Sequence, residues 1–404
     1  MVSNIGFPYP ERSVPRAATE MLADERFLPL IDQFFAMYRE PGQGGAALAV
    51  YMNGEPVVDV WAGWADRDKR WSRNTVAMAF STGKGVASTV LHRVAERGVI
   101  DYDTPVAEYW PEFAAEGKGD ITVREVLSHR AGMHRVRGLL PGRDGMLDYD
   151  ATVKALAASP ADPRRLRTSG YHAITFGWLV AEIVASATGR PFVDVLRTEV
   201  AEFLGQDEFW YQVPHDQQYR IAKIFPHVTP PGGLKWGVAS TLLTLVRPAR
   251  GLAEAGMPEG FDELVRDPRI HDAVMPGWNG VFSARALARM YGAIANGGQI
   301  DGRTFLKPET VEAIGTRQAA GYYDYVLGYP ISFTLGYHRP VIMAKSQPPH
   351  AFGHYGLGGS GAYGDPSTGM SLAFVTNRLG SAVTALGDLR LARLGATAQS
   401  IARK

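Results

Sequence analysis

The sequence has 404 residues, of which 46% are hydrophobic and 21% are charged, and its formal net charge is +1. This composition is typical of an ordinary globular protein and excludes wholesale disorder. Because the charges are interspersed and nearly balanced, no long-range field would attract nucleic acid, and no nucleic-acid partner is expected. The chain contains no cysteine, which excludes disulfides, thiolate metal sites and cysteine nucleophiles.

The first twenty residues lack the basic start, apolar stretch and small-residue cleavage site of a secretory signal. No apolar run in the sequence is long enough to span a bilayer. We therefore expect a cytoplasmic protein without membrane insertion.

The first third of the chain changes from helix to hairpin and back to helix. Apolar residues at helical spacing predict a helix over residues 21–38. Asn53-Gly54 separates two apolar runs, residues 46–52 and 56–63, which is a strong signal for a β-hairpin. The pattern over residues 81–97 predicts a second helix that Gly98 ends.

Helical patterns and loops rich in proline and glycine fill the middle of the chain, and strands return near its end. Helices are predicted at residues 121–127, 149–158, 176–187 and 284–295, strands at 325–337, 351–356 and 371–376, and a closing helix at about 381–403. The prediction is an α/β (α+β) fold. Its antiparallel sheet domain comprises residues 1–80 and 290–404, a mostly helical region covers residues 81–289, and the active site lies in the cleft between them.

Ser81 and Lys84 form the only serine-lysine pair at S-x-x-K spacing. On a helix this spacing places both side chains on one face, and a serine near a helix start lies where backbone N–H groups favour developing negative charge. The alternative is a serine that caps the helix beside a solvated lysine. Position within the chain has to decide between these interpretations.

Two later segments complete a series of three motifs: Tyr171-His172-Ala173, which precedes an apolar helix, and His354-Tyr355-Gly356, which leads into a glycine-rich run. With these motifs in this order, the chain resembles the serine β-lactamase and penicillin-recognising superfamily, especially family VIII carboxylesterases and class C β-lactamases. Residues 121–133 (ITVREVLSHRAGM) and 277–298 resemble further stretches of that superfamily. The resemblance spans most of the chain and implies a β-lactamase-like fold.

The resemblance implies that Ser81 is the nucleophile, Lys84 its hydrogen-bonded partner and Tyr171 the general base. A serine hydroxyl needs a nearby proton acceptor in order to attack a carbonyl carbon. Tyrosine and lysine have ordinary pKa values of about 10 and 10.4, so either accepts the proton only if its surroundings shift that pKa. The residues alone leave the choice between Tyr171 and Lys84 open.

The third motif supplies the remaining implied site residues. By resemblance, the backbone N–H groups of Ser81 and Leu357 form the oxyanion hole, and Gly356 is the glycine of the third motif. His354 stands where β-lactamases commonly have lysine. It could relay protons, hold the charge of the catalytic pair or serve only in packing.

The second motif departs from the family pattern, because Ala173 replaces an asparagine that contacts the lysine and the amide of the substrate. This loss should weaken the selection of β-lactams and peptides more than ester hydrolysis. We therefore expect a serine carboxylesterase that cleaves small or short-chain carboxylic esters through an acyl-enzyme on Ser81. The alternatives are a β-lactamase or D-amino-acid peptidase or amidase, and a catalytically silent binding protein.

The ten histidines show no metal-binding spacing, and the G-x-G-x-x-G match at residues 356–361 does not open the helix of a nucleotide-binding unit. We therefore expect no metal and no organic cofactor. A small ester is the expected partner, and the oligomeric state stays open.

Overall fold

The computed structural model describes residues 2–3, 21–38, 44–140, 142–225, 247–318, 321, 323–344, 347–379 and 389–404. Its strands are β1 (Val2–Ser3), β2 (Leu22–Asp24), β3 (Gly45–Met52), β4 (Glu55–Gly63), β5 (Ala77–Met78), β6 (Phe209–Trp210), β7 (Val281–Phe282), β8 (Gln299–Ile300), β9 (Arg303–Thr304), β10 (Tyr323–Asp324), β11 (Tyr329–Pro330), β12 (Phe352–Tyr355), β13 (Gly361–Asp365) and β14 (Met370–Thr376). Seven of them form an antiparallel sheet in the order β1-β2-β4-β3-β14-β13-β12.

The predicted hairpin starts this sheet. Asn53 and Gly54 both have positive φ, at 50° and 83°, which is the backbone geometry that a two-residue hairpin turn requires. Strand β3 then pairs with β14 from the other end of the chain, with Leu48 opposite Phe374. The sheet therefore joins N-terminal and C-terminal segments, as predicted.

α-Helices make up much of the described chain outside the strands. They are α1 (Leu28–Ala36), α2 (Gly83–Glu96), α3 (Val123–Leu127), α4 (Gly142–Leu147), α5 (Tyr149–Ala158), α6 (Thr175–Thr188), α7 (Phe192–Leu196), α8 (Glu202–Leu204), α9 (Arg247–Gly256), α10 (Phe261–Arg266), α11 (Ala284–Ala295), α12 (Pro308–Gly315) and α13 (Leu389–Ala402). The predicted bounds of α5 and α11 agree with the structure because a side chain caps each helix start. Asp148 accepts a hydrogen bond from Ala151 N, and Ser283 accepts one from Ala286 N.

Helices pack on the sheet from both ends of the chain. Helix α11 lies against β3 and β14, where Ser371 Oγ donates a hydrogen bond to the carbonyl of Ala288. Helices α1 and α13 pack together, and the buried ring of Phe34 meets Phe374 edge-on at 6.3 Å. The sheet is thus held between layers of helix around a continuous apolar core.

Several predicted elements differ from the structure. The predicted helix over residues 21–38 begins only at Leu28, because β2 and a 3₁₀ turn, Glu25–Phe27, occupy its first part. The predicted strand over residues 325–337 is wrong, since only the two-residue strands β10 and β11 lie nearby. Asp324 accepts hydrogen bonds from Val326 N and Leu327 N and so turns the chain after β10.

The structure adds detail to two predictions in the C-terminal part. Strand β13 follows a 3₁₀ turn, Leu357–Gly359, within the run that the sequence analysis treated as glycine-rich. The predicted closing helix begins at Leu389 in the described chain, and residues 381–388 of that prediction lie outside the described residues.

A second, three-stranded antiparallel sheet has the order β5-β7-β6. It leads directly into the turn that carries Ser81. Within the described parts of the chain, every helix is too short or too polar to cross a bilayer. The domain limits at residues 80 and 290 stay a prediction.

Candidate active site

Ser81 lies in a single 3₁₀ turn, Phe80–Thr82, that runs directly into α2. Phe80 adopts a positive φ of 48°, which is unfavourable for a bulky L-residue and is the kind of backbone strain that functional sites often hold. Ser81 is partly exposed and lines a cavity of about 1070 Å³. The turn therefore presents the Ser81 hydroxyl to the cavity at the start of a 14-residue helix.

Hydrogen bonds fix this turn on two sides. Ala79 N donates to the carbonyl of Gly280 at 2.8 Å, which extends the pairing of β5 with β7. Thr82 Oγ1 donates to the carbonyl of Ser360 at 3.1 Å, next to β13. The strained turn is thus held by both the small and the large sheet.

Lys84 is fully buried one helical turn beyond Ser81. Its Nζ lies 2.8 Å from Ser81 Oγ and donates to the carbonyl of Gly277 at 2.7 Å. Within the described chain no carboxylate pairs with it. Burial without a counter-charge holds the pKa of the Lys84 amine well below its ordinary value of 10.5. The neutral amine is therefore favoured beside the serine.

Gly277, the carbonyl partner of Lys84, is placed by a close backbone approach. A Cβ built on Gly177 in α6 would overlap the backbone nitrogen of Gly277 and lie 2.5 Å from its Cα. Asn279 secures the same loop: its Oδ1 accepts from Met275 N, and its Nδ2 donates to three backbone carbonyls. The sequence analysis gave Gly277 no role in the site, and its contact with Lys84 is made by its backbone carbonyl.

Tyr171 reaches the same point from the segment before α6, and its phenol lies near enough to the Ser81 hydroxyl for that group to lower the pKa of the phenol. The Lys84 Nζ lies 5.4 Å from the centroid of its ring. The ring stacks on Phe333 at 5.7 Å and meets His129 edge-on at 4.9 Å. Burial raises the pKa of the Tyr171 phenol and outweighs this effect of Ser81. The phenol therefore stays protonated in the free enzyme.

Asp324 holds the backbone of Tyr171 by a hydrogen bond, and the sequence analysis did not identify this residue. One carboxylate oxygen accepts from Ser169 Oγ and Tyr171 N, both at 2.9 Å. The other accepts from Val326 N and Leu327 N. Burial raises the pKa of this carboxyl, while the four hydrogen bonds favour its charged form. A single carboxylate thus joins the second motif to the turn after β10.

His354 lies on β12 and its ring stacks near Tyr171, with the ring centroids 6.3 Å apart. Its Nδ1 faces the carbonyl of Tyr355 at 3.0 Å, so Nδ1 carries the proton and Nε2 presents a lone pair. That Nε2 is buried without a hydrogen-bond partner in the described structure. Burial, with smaller contributions from His338 and Lys84, holds the pKa of His354 well below its ordinary value. His354 is therefore a neutral acceptor next to the site.

The remaining predicted residues also reach the cavity. Gly356, Leu357 and Ala173 all line it. Gly356 packs so closely on the carbonyl of Ala79 that a side chain would overlap it, and this brings the third motif against the serine turn. Leu357 opens a 3₁₀ turn rather than lying on a strand. Trp278 also lines the cavity.

The structure thus brings Ser81, Lys84, Tyr171 and His354 together from three distant parts of the sequence. In the described ranges, no group of three or more histidine, aspartate or glutamate side chains is arranged to hold a metal ion. This arrangement is suited to nucleophilic attack by a serine on a carbonyl group.

Comparison with known proteins decides the family. The family model described as Beta-lactamase matches residues 30–397, which is most of the chain. The chain belongs to the beta-lactamase family. One curated relative is Esterase/beta-lactamase LipL of Mycobacterium tuberculosis. Its sequence is 42% identical to this chain over 362 residues, which cover 88% of this chain and 82% of LipL.

Solved structures agree with this assignment. A family VIII carboxylesterase superposes with a TM-score of 0.80 at 29% identity, and the alignment covers 94% of this chain and 98% of the other. A penicillin-binding protein homologue from Caulobacter crescentus gives a TM-score of 0.79 at 33% identity with the same coverage. The predicted family and fold class are therefore confirmed.

We predict that Asp324→Asn lowers kcat for an ester at least about tenfold. An asparagine keeps one acceptor oxygen and turns an NH₂ group toward N–H donors, which leaves a buried donor unpaired and displaces Tyr171. The substitution should also destabilise the fold by about 2 kcal/mol. Steady-state kinetics and urea unfolding measure both effects.

Ser169→Ala is the matched control, because it removes one donor to Asp324 and leaves the three backbone bonds in place. It should change kcat less than about threefold. Wild-type kcat in a folded Asp324→Asn variant would show that the carboxylate does not position Tyr171.

Proposed function

We propose that this protein is a serine carboxylesterase that cleaves carboxylic esters through an acyl-enzyme on Ser81. The observation that carries the proposal is the contact of the buried Lys84 amine with the Ser81 hydroxyl at the cavity wall. The similarity to LipL, named an esterase/beta-lactamase, and to a family VIII carboxylesterase supports the reaction class. The predicted cytoplasmic location stays a prediction.

The first half-reaction is acylation. Ser81 Oγ attacks the ester carbonyl carbon while its proton passes to a neighbouring base, and the carbonyl oxygen becomes an oxyanion. The backbone N–H groups of Ser81 and Leu357 are proposed to stabilise that oxyanion. The intermediate collapses, the carbon–oxygen bond to the alcohol breaks, and the alcohol leaves with the proton. The acyl group stays on Ser81.

The pKa shifts favour Lys84 as the proton acceptor. Burial lowers the pKa of the Lys84 amine and raises that of the Tyr171 phenol, so burial favours the neutral form of both groups. A neutral amine has a lone pair that can accept the serine proton, whereas a neutral phenol still holds its own proton. Tyr171, which lies near the Ser81 hydroxyl, is then placed to pass a proton to the departing alcohol. Because the two groups lie next to the same serine, they act as one proton-transfer unit.

Deacylation returns the enzyme to its starting state. A water molecule attacks the acyl carbon, one of its protons passes to the catalytic pair, and the carboxylic acid leaves as Ser81 regains its proton. His354 Nε2 offers a buried lone pair near Tyr171, which can accept a hydrogen bond from this water. We assign His354 this orienting role.

Two features favour esters over β-lactams and peptides. Ala173 offers no donor or acceptor where an amide substrate would need one, and an unpaired amide in the site is costly. His354 is neutral and so supplies no cation for a substrate carboxylate. Because the name of LipL also includes beta-lactamase, β-lactam hydrolysis is the second candidate activity.

The direct test compares p-nitrophenyl butyrate, a chromogenic cephalosporin and a D-alanyl peptide as substrates of the wild type, Ser81→Ala and Tyr171→Phe. We expect the highest kcat/KM with the ester, a loss of at least about a thousandfold in Ser81→Ala, and a loss of about a hundredfold in Tyr171→Phe. Equal unfolding midpoints would control for misfolding. Retained esterase activity in Ser81→Ala would exclude the mechanism, and faster turnover of either other substrate would exclude the esterase assignment.

The pH dependence tests the role of Lys84. If Lys84 is the base, its neutral form is the active one, and because its pKa is lowered this form persists to a lower pH than in an ordinary lysine. As the pH falls through that pKa the amine gains a proton, so kcat/KM should decrease about tenfold per pH unit on the acid side. The apparent pKa of this decrease should lie well below 10.5, and Lys84→Met should remove both the activity and the decrease. Activity that appears only as the pH approaches 10.5 would contradict a lowered pKa of the Lys84 amine.

A further inference from the structure

The cavity in front of Ser81 is large for a short ester. Its volume of about 1070 Å³ is at the upper end of the range of roughly 300–1,000 Å³ that encloses drug-sized ligands. Most of its wall is apolar, including Met78, Ile174, Leu252, Met257, Val265 and Leu327. Because Ser81 and Tyr171 line the same cavity, a substrate arm that fills the cavity can be joined directly to the carbonyl group that Ser81 attacks.

Two small residues open this space beside the nucleophile. Ala173 follows Tyr171 by two residues, and Gly256 faces it from the end of α9. A Cβ built on Gly256 would lie 3.6 Å from Ala173 Cβ and 3.7 Å from Leu252 Cδ1, which is ordinary van der Waals contact. A side chain at residue 256 would therefore extend into the cavity between Ala173 and Leu252. We call Ala173, Leu252, Gly256 and Met257 the Ala173 wall.

Charged groups contribute little to this environment. Three charged residues also line the cavity, namely Lys223, Arg266 and Asp267. Lys223 and Asp267 are held in ion pairs, with Asp66 and Arg269 respectively, and Arg266 is exposed to solvent. The polar side chains nearest the serine are neutral, since burial lowers the pKa values of Lys84 and His354. A charged substrate group would thus lose hydration without a partner near Ser81, whereas an apolar group would gain by leaving water.

We propose that the site takes uncharged esters with a long or bulky apolar arm, which lies along the Ala173 wall. This inference rests on the proposed esterase function and departs from the small esters that the sequence predicts. Burying one methylene stabilises by about 0.8 kcal/mol, which corresponds to roughly a fourfold gain in kcat/KM for each methylene that the wall accommodates.

The test uses two ester series, because either arm of an ester can occupy the wall. In the first, p-nitrophenyl esters carry acyl chains from acetate to dodecanoate. In the second, acetate esters carry alcohols from methanol to decanol. We expect kcat/KM to rise from the shortest member to a chain of about eight carbons in at least one series, by at least about a hundredfold.

Substitutions at Gly256 test whether the apolar arm of the ester binds along the Ala173 wall. Gly256→Leu fills the space beside Ala173, so it should lower the ratio of kcat/KM for the preferred long ester to that for the shortest ester at least about tenfold. Gly256→Ala, whose Cβ fits without overlap, should change this ratio much less. Gly119→Leu, at an exposed glycine whose Cβ would have only Ala114 nearby at 3.8 Å, is the matched control and should keep the wild-type ratio. A ratio within one enzyme is independent of the fraction of folded protein.

Two results would overturn the inference. One is a kcat/KM that stays flat or falls from the shortest member in both series while the short esters are hydrolysed. The other is a Gly256→Leu variant with the wild-type ratio. If the wild type hydrolyses no ester in either series, the proposed function itself fails, and this outcome is distinct from a preference for short chains.

Discussion

The burial of Lys84, for which the described residues supply no charged partner, is the constraint on which the rest of the site depends. Among those residues, an ammonium group in this position would lose its hydration and gain the carbonyl of Gly277 and the hydroxyl of Ser81. The neutral amine is favoured instead, and a neutral amine is what a serine hydroxyl needs in order to lose its proton. Burial has the opposite effect on Tyr171, which keeps its proton. Desolvation thus favours Lys84 as the proton acceptor and Tyr171 as the proton donor next to Ser81.

This arrangement requires three remote segments to meet with little freedom. The strained turn at Phe80 is tied to both sheets, the segment around Tyr171 is tied to Asp324, and the third motif packs against the turn through Gly356. Lys84 in turn depends on the backbone approach that places the Gly277 carbonyl. The sheet and its helices supply this rigidity, while the Ala173 wall leaves open space beside the reacting atoms. The reacting groups and the Ala173 wall therefore line one cavity.

The sequence predicted those elements whose structure is determined by interactions between neighbouring residues. The hairpin at Asn53-Gly54 and the capped helices α5 and α11 follow from the conformational preferences and hydrogen bonds of adjacent residues, and the motif order indicated the family. Asp324 and the Gly277 carbonyl were missed because their roles arise from contacts across about 150 to 190 residues of sequence. The strand predicted over residues 325–337 failed because a single aspartate side chain turns the backbone there. The sequence could not decide whether Lys84 or Tyr171 accepts the serine proton, because that choice depends on how deeply each group is buried. Motif spacing does not reveal burial.

Covalent trapping tests the central claim most directly. The wild-type protein would be incubated with a fluorophosphonate, quenched in acid, and analysed by intact mass and peptide mapping, with Ser81→Ala in parallel. We expect one adduct per chain on the peptide that contains Ser81, loss of esterase activity in proportion to labelling, and no adduct on the variant. An adduct on a different residue, or full esterase activity in fully labelled protein, would contradict Ser81 as the nucleophile.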